Sequence, residues 1–139
     1  MAGTQGQGSM RRVLLRVASA VTALFALGHS LGVFSPPPPG AAGMVATAMK
    51  TVPLDLLGAQ RTYWDLFHGY GVLIIAMAIF LAVHLWMLSL LEARQARPLL
   101  YAVAALQLVF AIVGFSSFFW APGLFNAVSA GCTLAAALL

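Results

Sequence analysis

The chain has 139 residues, of which 62% are hydrophobic and only 7% charged, with a mean hydropathy of +0.97. Soluble domains carry about 25% charged residues, so this composition excludes an ordinary water-soluble fold and makes lipid the solvent of most of the sequence. Seven Arg and Lys against three Asp and Glu give a formal charge of +4, but the cations stand at the ends of apolar runs. They do not form the basic, aromatic-interleaved face that nucleic acid requires, and no nucleic-acid partner is expected.

Residues 1–10 are rich in Gly, Gln, Ser and Thr, too polar to bury a core, and are expected to form a disordered leader, with Met10 as an alternative start. Arg11, Arg12 and Arg16 open the first apolar run, residues 13–34. The tetraproline Pro36 to Pro39 stops it, since proline cannot continue a helix. Residues 35–63 make the one sizeable loop, in which the Ala- and Met-rich piece from Ala41 to Thr51 reads as a short interfacial helix carrying Lys50. No strand is expected.

The second span is predicted over residues 64–91 and is closed by Glu92, Arg94, Arg97 and Pro98. The third covers 98–120 and the fourth 122–139, with Pro122 at the first helical position, where its missing N–H costs nothing. A helix needs about 20 apolar residues to cross a hydrocarbon core of about 30 Å, and each run comes close to that or exceeds it. The short links after the second and third runs make their neighbours antiparallel. The expected fold is therefore all-α: an integral membrane antiparallel four-helix bundle, with residues 11–139 forming a single transmembrane domain.

Orientation follows from the cation bias: three arginines precede the first span and two occupy the link between the second and third, while the turn after the third has none. By the positive-inside rule both termini are cytoplasmic and the long loop is on the outer side. In that loop Lys50 and Arg61 are balanced by Asp55 and Asp65. Tyr63, Trp64 and Trp120 fall at the outer boundary, where amphipathic rings prefer to sit. A rival reading treats the first run as a cleaved signal, with small residues at Ala26-Leu27-Gly28. Cys132 is the single cysteine, so no intrachain disulfide forms, and its apolar neighbours make it a packing residue.

Ionisable groups at membrane depth are expensive and mark sites. Here they are His29, His68 and His84, with Asp65 at the boundary. Ser19, Thr22, Ala26, His29 and Gly32 share one face of the first helix, and Gly28 and Gly32 form a small-xxx-small pair suited to close helix approach. Arg61, Asp65 and His68 follow at i, i+4 and i+7 on the second, so the carboxylate has either cation as partner. Ala104, Gln107, Ala111, Gly114 and Ser117 on the third helix, and Asn126, Ser129, Thr133 and Ala136 on the fourth, repeat the small or polar stripe. His84 lies far from His68 along its helix and on the opposite face.

The candidate outer pocket is His29, Arg61, Asp65, His68, Gln107, Ser117 and Asn126. No catalytic motif accompanies it, so the leading expectation is a binding or accessory protein rather than an enzyme. Its partners would be the lipid bilayer and a lipid-like ligand or membrane protein, with a homo-oligomer left open. The alternative is redox or metal chemistry, in which His29 and His68 supply axial ligands to haem b, or bind a divalent metal with Asp65. A channel or transporter is disfavoured by the lack of inverted repeats.

The segment Gly58-Ala59-Gln60-Arg61-Thr62-Tyr63-Trp64-Asp65, followed by Gly69 and Gly71, resembles part of a family of small, uncharacterised bacterial four-helix membrane proteins. The resemblance implies the same fold and a location in the bacterial inner (plasma) membrane. It carries no activity.

Overall fold

A computed structural model describes residues 2–139, with side-chain positions from residue 6. Seven elements follow in order: α1 (Ala2–Phe34), α2 (Ala41–Thr51), β1 (Pro53–Leu56), β2 (Ala59–Thr62), α3 (Tyr63–Leu88), α4 (Ala93–Ser117) and α5 (Trp120–Leu138). Helix accounts for 82% of the chain, so the all-α expectation holds at the level of class. The stretches Gly6–Phe34, Tyr63–Leu88, Ala93–Ser117 and Trp120–Leu138 are long and apolar enough to cross a membrane. They fit a multi-pass membrane protein.

Several boundaries differ from those expected. Helix α1 begins at Ala2 and so runs through the segment expected to be a disordered leader; residues 2–12 contain no proline to stop it. Helix α3 ends at Leu88, and α4 starts at Ala93 with Pro98 inside it, because Glu92 in extended conformation (φ −66°, ψ 149°) opens the helix one turn earlier. The corner between α4 and α5 is Phe118–Phe119. Pro122 therefore occupies the third position of α5, still within the first turn, where backbone N–H groups have no helical partner.

The absence of strands is corrected outright. Pro53–Leu56 and Ala59–Thr62 pair antiparallel, with Leu54 opposite Arg61 and Asp55 opposite Gln60. The two-residue turn Leu57–Gly58 has φ of 54° and 88°, the double positive φ of the tightest hairpin turns. Gly58 adopts this without strain. The Asp55 carboxylate fixes the turn by accepting from Gly58 N at 2.8 Å and Gln60 Nε2 at 3.1 Å.

The chain divides into two compact units, one of residues 1–25 with 78–139 and the other of residues 26–77. In the first, Leu15 and Ala18 of α1, Leu81, Leu85 and Leu88 of α3, Ala96, Leu100 and Val103 of α4, and Ala136 and Ala137 of α5 form the core. Cys132 packs against it, half-buried, as a packing residue. Ser19 Oγ donates to Ala82 O at 2.7 Å and Arg11 Nη2 to Leu91 O, so α1 and α3 run antiparallel in this unit. Helices α4 and α5 also run antiparallel, closest at the corner, where a Cβ on Gly114 would lie 2.6 Å from Gly123 N.

In the second unit, the end of α1 and the start of α3 meet closest at Gly71, whose missing Cβ makes room for Val33. The expected close-approach pair behaves differently: a Cβ on Gly28 or Gly32 would meet nothing within 4 Å. Spacing alone identifies small residues, whereas the facing partner decides which of them is used. Gly114→Ala should therefore destabilise the protein by about 1–3 kcal/mol, since backbone must shift to admit the methyl. Gly28→Ala should change stability by less than about 1 kcal/mol. Thermal melting in detergent micelles, followed by circular dichroism, checks the contrast, and equal effects would refute it.

Candidate functional site

Helix α3 opens with a reciprocal cap. Thr62 Oγ1 accepts from Asp65 N at 3.2 Å, while Asp65 Oδ2 accepts from Thr62 N at 2.7 Å and Thr62 Oγ1 at 2.9 Å. This is the capping box, which satisfies donors at a helix start that have no intrahelical acceptor. Asp65 is thus held by Thr62 and not by a bond to Arg61 or His68. Arg61 turns its Nη1 to Gln60 O at 2.8 Å. The Thr-x-x-Asp spacing of this cap is visible in the sequence at Thr62 and Asp65.

With the helix start fixed, its first turns present an aromatic cluster. His68 stacks on Trp64 (centroids 6.2 Å apart, 16° between planes) and meets Phe34 edge-on at 5.6 Å. Trp64 also contacts Phe67, and the Lys50 ammonium sits 4.5 Å above the Trp64 ring. A cation on an aromatic face is attracted by the ring quadrupole by about 0.5–1 kcal/mol at exposed sites. The His29 imidazole hydrogen-bonds the backbone at Gly71, one residue short of a full turn beyond His68.

Lys50 is delivered by α2. Gly40, with φ of 85°, turns the chain out of the proline segment into the helix. Gly43 lets the first turn lie against Pro38, whose carbonyl oxygen would be 2.8 Å from any added Cβ. An open groove of about 570 Å³ runs between the two, lined by Pro37 to Pro39, Gly43, Met44, Thr47 and Lys50. The sequence marks the helix but not this groove, whose only signal was the order of Pro, Gly40 and Gly43.

The remaining candidates belong to the other unit. Gln107 is fully buried. Its Nε2 donates to Ser129 Oγ at 2.6 Å, and its Oε1 lies 3.0 Å from the Thr133 hydroxyl, which it accepts. Ser129 shares a hydrogen bond with Thr22 at 2.9 Å and donates to Ala18 O at 3.2 Å. Three helices are joined by one polar chain. Asn126 Nδ2 donates to Pro122 O at 2.9 Å within α5, and Ser117 is exposed beside Ser116 at the end of α4. The small and polar stripes of α1, α4 and α5 are buried or half-buried except at Gly32 and Ser117, whereas on α3 Arg61 and Asp65 are exposed.

No protein family, curated protein or solved structure matches this chain. Among the described residues, no three of His, Cys, Asp and Glu gather in a group that could hold a metal ion, so His29, Asp65 and His68 do not come together as a three-ligand set. The imidazole of His68 is packed between rings, and that of His84 stacks on Phe80 at 5.7 Å. A double-mutant cycle on Gln107→Ala and Ser129→Ala should give a coupling of about 0.5–1.5 kcal/mol, the range for hydrogen bonds between helices in lipid. Thermal or denaturant unfolding in micelles measures it, and additive effects would show the contact to be idle.

Proposed function

We propose that the chain is a bacterial inner-membrane protein, an antiparallel four-helix bundle with both termini in the cytoplasm, which binds a lipid-like ligand on its outer face. Four apolar helices and the cation bias of the links support the embedding and its direction. The antiparallel contacts within the first unit support the bundle. A fluorescent protein fused after Leu139 should then fluoresce in the bacterial cytoplasm, and alkaline phosphatase fused at the same point should be inactive; the opposite pair of results reverses the orientation.

The observation that carries ligand binding is the open groove between the proline segment and α2, lined by Lys50, whose ammonium also sits over Trp64. Its volume lies within the roughly 300–1,000 Å³ of small-molecule sites. Prolines and Met44 offer an apolar wall, and Lys50 is the one cation lining it, so the fitting occupant is an amphiphile with an acyl portion and an anionic head. The ammonium N–H donors that do not face the ring remain available to that head. The interfacial aromatic residues Tyr63 and Trp64 set the groove at headgroup level. Nothing in this reading requires a reaction.

A brominated stearate is the probe for this site, because bromine quenches tryptophan at short range. In a Trp86→Phe, Trp120→Phe background, Trp64 is the remaining tryptophan and should be quenched saturably. Thr47→Phe, which fills the groove, and Lys50→Gln should each weaken the apparent affinity by about tenfold, equivalent to 1.4 kcal/mol. Quenching that is linear in probe and identical in all variants would sink the proposal in favour of simple partition into micelles.

A further inference from the structure

Arg11 is the one strongly charged side chain enclosed within the first unit: it is 4% exposed. Its Nη2 donates to Leu91 O in the link between α3 and α4. Its Nε and Nη1 are buried and have no hydrogen-bond partner. Other buried ionisable groups escape such a position by losing charge, but a guanidinium stays protonated in proteins. An enclosed ion without a counter-charge costs several kcal/mol even after relaxation. Something anionic is needed there.

The described side chains of this unit do not supply it. This unit contains Arg11, Arg12, Arg16, Arg94 and Arg97, and its only carboxylate side chain is Glu92, which is exposed and forms no ion pair with Arg11. Arg16 has its own partner in the Trp86 ring, 4.9 Å from the guanidinium carbon. The carbonyl that Arg11 touches is two residues before the start of α4. Glu92 leaves that helix start without a side-chain cap, so first-turn N–H groups and the positive end of the helix dipole lie in the same link. A buried guanidinium and an uncapped 25-residue helix N-terminus converge on one place, which is the arrangement that binds phosphate.

We infer that Arg11, with the α4 N-terminus, binds the phosphate of an anionic phospholipid headgroup. Position selects the lipid over other sources of the same chemistry. The site lies where α3 ends and α4 begins, beside the third turn of α1, the level at which headgroup phosphates stand and at which basic clusters between helices hold anionic lipids. Arg12, Arg94 and Gln95, the neighbours of the contact in sequence, are all exposed, so they form the rim through which a headgroup reaches the nitrogens beneath. Arg12 and Arg94 add long-range attraction. The site is independent of the groove beside Lys50, which belongs to the other unit.

The full chain, purified in neutral detergent, is melted with phosphatidylglycerol, phosphatidylcholine or inorganic phosphate added, and bound lipid is counted by native mass spectrometry. Phosphatidylglycerol should raise the melting temperature and be retained, whereas the other two should do neither. Arg11→Gln should weaken retention of phosphatidylglycerol by about tenfold or more, Arg11→Lys by less, and Arg97→Gln, an exposed control outside the rim, least of all. Equal retention of phosphatidylcholine by the unaltered chain, or equal effects of Arg11→Gln and Arg97→Gln, would overturn the inference. Stabilisation by inorganic phosphate without phosphatidylglycerol would overturn the lipid assignment. If Arg11→Gln fails to fold, the comparison of the two lipids on the unaltered chain and on Arg11→Lys decides.

Discussion

Within a hydrocarbon medium water offers no substitute partner, so each polar group must be satisfied by the protein itself. Gln107 shows how the first unit meets that demand. Its amide joins Ser129 and Thr133 of α5, Ser129 in turn bonds Thr22 and the Ala18 carbonyl of α1, and Ser19 bonds the Ala82 carbonyl of α3. Each hydrogen bond between helices in lipid contributes only about 0.6 kcal/mol on average. Losing a partner is more damaging, because the stranded group has no water to turn to. The network therefore fixes which faces of the helices can meet.

Those faces are lined with small residues for a related reason. Lipid tails are as apolar as leucine, so helices associate through close packing rather than by hiding apolar surface. Ala96, Ala104, Ala111, Ala136 and Ala137 are buried, while Leu24, Phe80, Leu108 and Ile112 are exposed. This inverts the distribution of a soluble protein. It also explains the corner between α4 and α5, where Gly114 and Gly123 bring backbone against backbone and against the Phe115 ring.

The second unit follows other rules because much of it is outside the spans. Here a carboxylate fixes a hairpin, a reciprocal Thr–Asp cap starts a helix, and two positive-φ glycines turn the chain. Each is a local device that works in water. Together they hold Lys50, Trp64, His68 and Phe34 as a ring cluster beside an open groove. The first unit is thus tied by hydrogen bonds between helices, and the second is shaped by local turns and caps.

The four helices long and apolar enough to cross a membrane, the short helix at Ala41–Thr51 and the buried stripes of Ser19, Thr22, Gln107, Ser129 and Thr133 were legible in the sequence, because hydropathy and helical spacing are properties of the chain itself. Of the candidate site, His29 and His68 were legible as polar groups at membrane depth, and Asp65 as a charge beside them. Their partners were not. Asp65 turned to Thr62, His68 to two aromatic rings, and Gly71 rather than Gly28 or Gly32 became the point of close approach, since a bond or contact depends on what another element brings within a few ångströms. The same limit hid the hairpin, whose strands are too short to show a period, and the enclosure of Arg11. Sequence marked Arg11 as a cation at a helix end; only tertiary packing decided that it lies buried against Leu91 with two nitrogens unsatisfied.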